Sequence, residues 1–265
     1  MVTVVTKTVG AGKDYATPAL AEAGVAALAT SEFGGTNLVA ADGAIVFDID
    51  AGTYAQLAAL GSGLTTDATR NVTYRAAAGS EHGGSLNAGV ILADSVNVII
   101  VGDDFTTLEG LVAKGTGSYA LVSQADGVTC RGLVLANTNS HVTILQKGTV
   151  SSPTRLQNCV AHATNGYGYY SFGTSTAAHT HIINCTLIYS FSTYGIRNYG
   201  GASNLTLVNF LGLHSSGAAY QAVASPTITG SNCFSTGTGA LPGTVQGTPY
   251  PITASTAYDP GAGDF

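Results

Sequence analysis

The amino-acid sequence predicts an all-β protein, a single-stranded right-handed parallel β-helix of about seven to nine rungs with about 22 to 26 residues in each. Three observations lead to this prediction. One strand motif recurs at that spacing, its apolar positions alternate as in strands, and Gly or Asn stands wherever the chain must turn. A solenoid of stacked strands accounts for all three features, so we expect residues 1–265 to form one domain.

The N-terminal segment, residues 1–43, is predicted to cap the first rung. The end of a solenoid exposes unpaired strand edges and apolar core, so it needs a cover. The stretch from about residue 17 to about residue 29 predicts a capping helix, with Thr17 as its N-cap and Pro18 in its first turn. Its apolar face is predicted to consist of Leu20, Val25 and Leu28.

The rungs are predicted to occupy residues 44–234, and one turn residue in each repeat defines their register. These turn residues are Gly110, Gly132, Asn158, Asn184, Asn209 and, in a degenerate copy, Asn232. Asn tolerates the left-handed backbone conformation, and its side-chain amide can bond to an Asn one rung away. The sequence therefore predicts a structural ladder that consists of Asn158, Asn184, Asn209 and Asn232.

The same register predicts two files of stacked side chains inside the solenoid. The first file follows the turn residues and consists of Leu111, Leu133, Cys159, Cys185, Phe210 and Cys233. The second, aromatic file is predicted to consist of Tyr167, Tyr194 and Tyr220. The four cysteines lie in apolar strand patterns without C-x-x-C spacing, which indicates buried free thiols and no metal site. Residues 235–265, rich in Gly, Thr and Pro, are predicted to form an irregular C-terminal cap or arm.

Charged residues make up only 9% of the chain, with nine Lys and Arg in total and a net charge of -6. Nucleic-acid binding needs clustered cations to neutralise phosphates, so we expect no nucleic-acid partner. No stretch approaches the roughly 20 apolar residues of a membrane span, and no basic segment followed by an apolar run opens the chain. We therefore expect no membrane partner and assembly in the cytoplasm. No cofactor motif is present, so none is predicted.

Carboxylates are the residues that carbohydrate-cleaving β-helices need, as an acid–base pair or as calcium ligands. The sequence has no Asp or Glu from Gly127 to Tyr258, which covers its most regular rungs. The acids that could form a site come earlier, and they are Asp48, Asp50, Asp103, Asp104 and Glu109. Whether the protein is an enzyme is left open by the sequence, which favours a protein without catalytic residues.

Two further groups of side chains are candidates for binding. Tyr169, Tyr170 and Arg197 are predicted to form a surface for a glycan or a protein partner, with stacking inside the core as the alternative. His162, His179 and His181 have a spacing that would suit a metal or an acid–base pair. Since they lack carboxylate partners, the sequence favours exposed polar histidines instead.

Three segments carry a resemblance to a known group: VGAGKDYATPALAEAG near the start, TTDATRNVTYRAAAGSEHGG from Thr65, and AYDPGAGDF at the end. The chain resembles pectin-lyase-like β-helix proteins of the type common in bacteriophage and metagenomic sequences. This resemblance implies the β-helix fold. The superfamily includes lyases, glycosidases, tailspikes and inert virion parts, so it does not imply one activity.

The resemblance and the acid-free rungs together predict a non-enzymatic structural protein of a bacteriophage virion: a capsid decoration, head-fibre or tail-associated β-helix. Its expected partners are phage capsid or tail proteins, further copies of itself and a surface glycan, and its expected location is the virion, assembled in the host cytoplasm. The alternative is a tailspike-like protein that acts on or binds carbohydrate, as a polysaccharide lyase, a glycosidase or a glycan-binding adhesin.

Overall fold

In the computed structural model, the chain winds through three parallel sheets that enclose one apolar core. The structure describes residues 1–138, 143–147, 152–164, 168–172, 179–189, 194–198, 204–214, 218–222, 228–231 and 233–235. Residues 236–265, which hold nearly all of the predicted C-terminal cap or arm, lie outside the described residues. No helix in the described part of the chain is long and apolar enough to cross a membrane.

From the second strand onward, successive strands belong in turn to sheets I, II and III, and the first strand precedes them in sheet I. Sheet I consists of β1 (Thr3–Val9), β2 (Gly43–Ile49), β5 (Val72–Ala76), β8 (Thr107–Glu109), β11 (Thr129–Arg131), β14 (Thr154–Gln157), β17 (His179–Ile183), β20 (Asn204–Val208) and β23 (Ile228–Ser231). Sheet II consists of β3 (Gly52–Tyr54), β6 (Val90–Asp94), β9 (Leu111–Gly115), β12 (Val134–Asn137), β15 (Val160–Ala163), β18 (Thr186–Tyr189), β21 (Leu211–His214) and β24 (Phe234–Ser235). Sheet III consists of β4 (Leu57–Leu60), β7 (Ile99–Val101), β10 (Leu121–Ser123), β13 (Ile144–Lys147), β16 (Tyr169–Phe172), β19 (Tyr194–Asn198) and β22 (Ala218–Ala222).

Each turn of the chain therefore adds one strand to each sheet, and every strand pairs in parallel with the strand one turn earlier. The described strands make seven complete turns, from β2–β4 to β20–β22, and part of an eighth, β23–β24, within the seven to nine that the sequence predicts. The predicted parallel β-helix is confirmed.

A single residue with a positive φ angle forms the corner between sheets I and II on five successive turns. These residues are Gly110, Gly132, Asn158, Asn184 and Asn209, with φ angles of 67°, 57°, 54°, 52° and 50°. The Asn184 amide donates to Asn158 Oδ1 at 3.3 Å, and the Asn209 amide donates to Asn184 Oδ1 at 2.8 Å. The predicted corners are confirmed, and the predicted ladder is present from Asn158 to Asn209. Asn232 lies outside the described residues.

The residue after each corner points into the core, as the register predicts. Every member of this file is at most 5% exposed: Leu111, Leu133, Cys159, Cys185, Phe210 and Cys233. The thiol of Cys185 lies 3.2 Å from the carbonyl oxygen of Ile183 and 3.4 Å from that of Leu156, and Cys159 and Cys233 repeat this arrangement. In these three rungs a small apolar side chain with a weak donor therefore packs behind the corner and reaches carbonyls of its own rung and of the preceding one.

The aromatic file predicted at Tyr167, Tyr194 and Tyr220 is wrong in its register. The strands of sheet III align Tyr169 with Ile196, and Ile196 with Tyr220, whereas Tyr194 pairs with Ala218. Tyr167 lies outside the described residues. The connections that lead from sheet II into sheet III differ in length from rung to rung, so counting from the corners does not fix the register there.

The N-terminal cap differs from the prediction in two ways, of which the first concerns its helix. Helix α1 (Pro18–Phe33) begins at the predicted N-cap, where Thr17 Oγ1 accepts from the Leu20 N–H at 3.3 Å, but it continues to Phe33 and is ended by Gly34 in the left-handed conformation. Leu20 is 55% exposed rather than buried. The buried helix residues are Pro18, Ala21, Val25, Leu28 and Ala29. A short helix, α2 (Leu38–Ala41), follows.

The second difference is that residues 1–43 are not only a cap. β1 pairs along its whole length with β2 and so begins sheet I before the helix does. Its sequence, TVVTKTV, is rich in the β-branched residues that favour strands. Helix α1 therefore lies between the first two strands of one sheet in the chain order.

The corner conformation should dominate the contribution of Asn184 to stability. We expect Asn184→Ala to lower the free energy of unfolding by about 2 kcal/mol, because Ala is disfavoured at a positive φ and cannot join the ladder. Asn184→Gly loses the ladder but keeps the conformation, so it should cost about 1 kcal/mol. Urea denaturation of the two variants measures the difference, and an equal loss in both would contradict it.

The buried Cys130 thiol should make the fold sensitive to alkali. Burial, with a smaller effect of the nearby Cys185, raises the pKa of Cys130 from 9.0 to about 12 in the folded chain. Between these two values the unfolded chain loses the thiol proton while the folded chain keeps it, so stability falls as pH rises, by at most about tenfold in the folding equilibrium per pH unit. Stability measured against pH should fall more steeply for the wild type than for Cys130→Ala, and parallel slopes would refute this.

Candidate functional site

The outer face of sheet I carries two aligned files of polar side chains. Side chains alternate between the two faces of a strand, so these files flank the buried residues of sheet I such as Phe47 and Leu108. We call the first the threonine file, and it consists of Thr73, Thr107, Thr129, Arg155, His181, Thr206 and Thr229. We call the second the ion-pair file, and it consists of Asp48, Arg75, Glu109, Arg131 and Gln157.

The ion-pair file alternates in charge from one rung to the next. Arg75 Nε donates to Asp48 Oδ1 at 2.6 Å, and this bond raises the pKa of the Arg75 guanidinium. Arg131 donates to Glu109 Oε1 at 2.9 Å and, through Nε, to Gln157 Oε1 at 3.3 Å. These pairs are partly exposed, so each contributes at most about 1 kcal/mol to stability. Their main effect is to hold long side chains in defined positions across the sheet.

A groove of about 440 Å³ runs along this face across five strands, from β2 to β14. It is open along its length and mostly polar. Its lining consists of Val46, Ala68, Asn71, Thr73, Arg75, Phe105, Thr107, Glu109, Gly127, Thr129, Arg131, Arg155 and Gln157. Hydroxyl, amide, guanidinium and carboxylate groups therefore lie within one groove, beside a single aromatic ring.

Arg155 differs from the other two arginines of the groove. Among the residues that the structure describes, its guanidinium has no hydrogen-bond or ion-pair partner, whereas the guanidinium groups of Arg75 and Arg131 each bind a carboxylate. Its neighbours in the threonine file are Thr129 and His181. Two of the three arginines that line the groove are paired, Arg75 with Asp48 and Arg131 with Glu109, so Arg155 leaves the groove with one net positive charge on a chain with a net charge of -6. An anionic ligand group would meet an unneutralised guanidinium here.

The predicted surface of Tyr169, Tyr170 and Arg197 is wrong for Tyr169. That side chain is 2% exposed, and its hydroxyl donates to Thr180 Oγ1 at 2.9 Å inside the solenoid. It points inward because it occupies the same file as the buried Ile144 and Ile196. Tyr170 and Arg197 are aligned on neighbouring rungs of sheet III, and their side chains lie outside the described residues.

The early acids identified in the sequence divide between two roles. Asp48 and Glu109 lie on the groove face, in ion pairs. Asp50 pairs with Lys13 at 3.4 Å, away from the groove. Asp103 is 9% exposed and, like Asp104, accepts backbone N–H bonds that hold neighbouring loops. Within the described residues, no three His, Cys, Asp or Glu side chains lie close enough together to hold a metal ion.

The two histidines of the predicted set whose side chains are described lie apart. His162 lies in sheet II and His181 in sheet I, and the side chain of His179 lies outside the described residues. His162 is 9% exposed, so the prediction of an exposed residue is wrong for it, and burial lowers its pKa.

No protein-family model and no curated protein matches this chain. Among solved structures, it is similar to crystal structures of the pectin methylesterase from Aspergillus niger in two deglycosylated forms. One shares 16% identity at a TM-score of 0.54, with 97% of this chain and 93% of that chain covered. The other shares 14% identity at a TM-score of 0.52, with 99% and 96% covered. At this identity the likeness shows the fold alone, a right-handed parallel β-helix.

Proposed function

We propose that the protein is a carbohydrate-binding β-helix that holds an acidic polysaccharide along the groove of sheet I. The observation that carries the proposal is Arg155, a half-buried residue whose guanidinium has no partner among the described residues, in a groove lined mostly by side chains that form hydrogen bonds. Guanidinium binds carboxylate and sulfate groups through two parallel hydrogen bonds, which makes arginine suited to acidic sugars.

The remaining lining fits a sugar chain. Sugar hydroxyls both donate and accept hydrogen bonds, and the threonine hydroxyls of the groove do the same. Gln157, held by Arg131, adds an amide next to Arg155. Because the groove follows the stacking direction, these groups repeat from rung to rung at about 4.8 Å, which suits a linear polymer. The similar solved structures are of an enzyme named for pectin, a polysaccharide, and this also favours a carbohydrate ligand.

Binding without cleavage is the form of the proposal that the geometry favours. Hydrolysis needs one carboxylic acid free to give a proton and a second carboxylate as base or nucleophile. The two carboxylates of the ion-pair file, Asp48 and Glu109, are each bound by an arginine, at 2.6 Å and 2.9 Å. Neither is therefore a carboxyl group free of side-chain partners that could face a glycosidic bond.

Removing the charge of Arg155 should weaken binding. We expect the wild-type protein to be retarded in affinity electrophoresis through polygalacturonate, alginate or hyaluronate, and not through neutral dextran. Arg155→Gln should bind about tenfold more weakly, because a hydrogen bond to a charged group contributes about 1.5–3 kcal/mol. Added salt should reduce the wild-type retardation, since the groove is open to solvent.

A matched control is Lys114→Gln, which removes one cation from sheet II, where Lys114 donates to Asn87 Oδ1 at 2.8 Å. It should migrate like the wild type. The proposal is overturned if no acidic polysaccharide retards the wild type, or if Arg155→Gln and Lys114→Gln behave alike. Release of methanol, reducing ends or unsaturated sugars that Glu109→Gln abolishes would replace binding with catalysis.

The virion role stays a prediction from the sequence. A glycan-binding β-helix displayed on a phage particle would agree with both the predicted virion role and the proposed binding of a polysaccharide. Detection of the chain in purified, intact particles is the measurement that bears on it.

A further inference from the structure

Phe105 has a backbone conformation that bulky residues rarely adopt. Its φ angle is 56°, in the left-handed region where glycine and asparagine are the usual residues. It lies in the turn that leads from β7 into β8 and lines the groove of sheet I. Strained residues of this kind cluster at functional sites and persist only where the surrounding structure holds them.

The turn around Phe105 is held at every residue. The Asp103 carboxylate accepts from Ser62 N–H at 2.8 Å, from the Ser62 hydroxyl at 2.5 Å and from Gly63 N–H at 3.3 Å. The carbonyl oxygen of Asp103 accepts from the hydroxyl of the buried Thr106 at 2.9 Å. The next residue, Asp104, is bonded through its carboxylate to Asp126 N–H and through its carbonyl oxygen to the Thr66 hydroxyl.

Phe105 itself donates its N–H to the carbonyl oxygen of Asp126 at 2.6 Å. The strained residue is thus fixed from both sides, by the β4–β5 connection of the preceding rung and by the β10–β11 connection of the following rung. The acids at 103 and 104, which the sequence marks as candidates for catalysis, belong to this support.

The Phe105 ring is not part of the apolar core. It belongs neither to the buried core cluster nor to the half-buried side chains packed against that cluster, among the described residues. The ring lies over the α-carbon of Gly127 instead, since a Cβ atom at Gly127 would come within 2.4 Å of it. The strain therefore places a half-exposed ring on the wall of a polar groove, where it adds nothing to the main core.

We infer that Phe105 is a stacking platform for a sugar ring, that is, the subsite that binds the apolar face of one residue of the polysaccharide. The inference rests on the proposed function of the groove. Pyranose rings present C–H groups on one face, and aromatic rings offer a matching apolar surface with a negative centre. Phe105 precedes β8 and Arg155 lies on β14, two rungs further on, so stacking and charge recognition are about 10 Å apart. The ligand would span at least two sugars.

Phe105→Gly separates this role from a structural one. Glycine accepts the positive φ without strain, so the variant should unfold at the same temperature as the wild type or higher, while its affinity for the polysaccharide falls about tenfold. Phe105→Tyr keeps the ring and should bind like the wild type. Both variants are measured by calorimetric titration with the acidic polysaccharide that retards the wild type, and by thermal unfolding without ligand.

The inference is overturned if Phe105→Gly binds as the wild type does, or if it melts at a lower temperature and a structural role is thereby shown. A wild type that binds neutral glycans alone would contradict the acidic-ligand proposal, and a loss of that binding in Phe105→Gly would still support the platform. A wild type that binds no glycan would overturn both.

Discussion

The fold depends on one conformational constraint, the left-handed corner between sheets I and II. On five successive rungs one residue takes a positive φ, and the same position recurs directly above it on the next of these rungs. At Asn158, Asn184 and Asn209 the side chains bond to one another along the stack. The residue after the corner, often Cys, reaches the carbonyls that the sharp turn leaves near it. Once these corners are aligned, the register of sheets I and II is determined over five rungs.

Alignment has a consequence for charge. A side chain on one rung lies about 4.8 Å from its counterpart on the next, and two like charges at about 4 Å repel by about 1 kcal/mol in water and more at lower dielectric. A stacked fold therefore tolerates charge only where signs alternate or where neutral residues intervene. The ion-pair file alternates Asp48, Arg75, Glu109 and Arg131 and then turns neutral at Gln157. Such a rule is consistent with a chain in which only 9% of residues are charged.

The sequence predicted the corners and the buried residues that follow them, because both stand at a constant offset within the repeat. It was insufficient for sheet III, where connections of varying length separate the strands from the corners, so the stacked position fell on Tyr169 rather than Tyr167. The same register could have predicted the groove residues, since Glu109, Arg131 and Gln157 each stand one residue before a corner. It could not have predicted the place of Phe105 in the groove, because that depends on a backbone conformation that sequence patterns for phenylalanine do not indicate.

The stacking rule also limits where on the solenoid a ligand can lie. Beyond Gln157 the ion-pair file continues with Ile183 and Val208, whose half-buried apolar side chains offer no hydrogen bonds. Over β17 and β20 the threonine file continues alone, through His181 and Thr206, until Ser231 joins Thr229 on β23. Because Val46 occupies the threonine-file position on β2, two adjoining rows of polar groups run from β5 to β14, over three inter-strand steps or about 14 Å. The length of the site is thus determined by where alternating charges can be accommodated, and a longer solenoid would not by itself extend it.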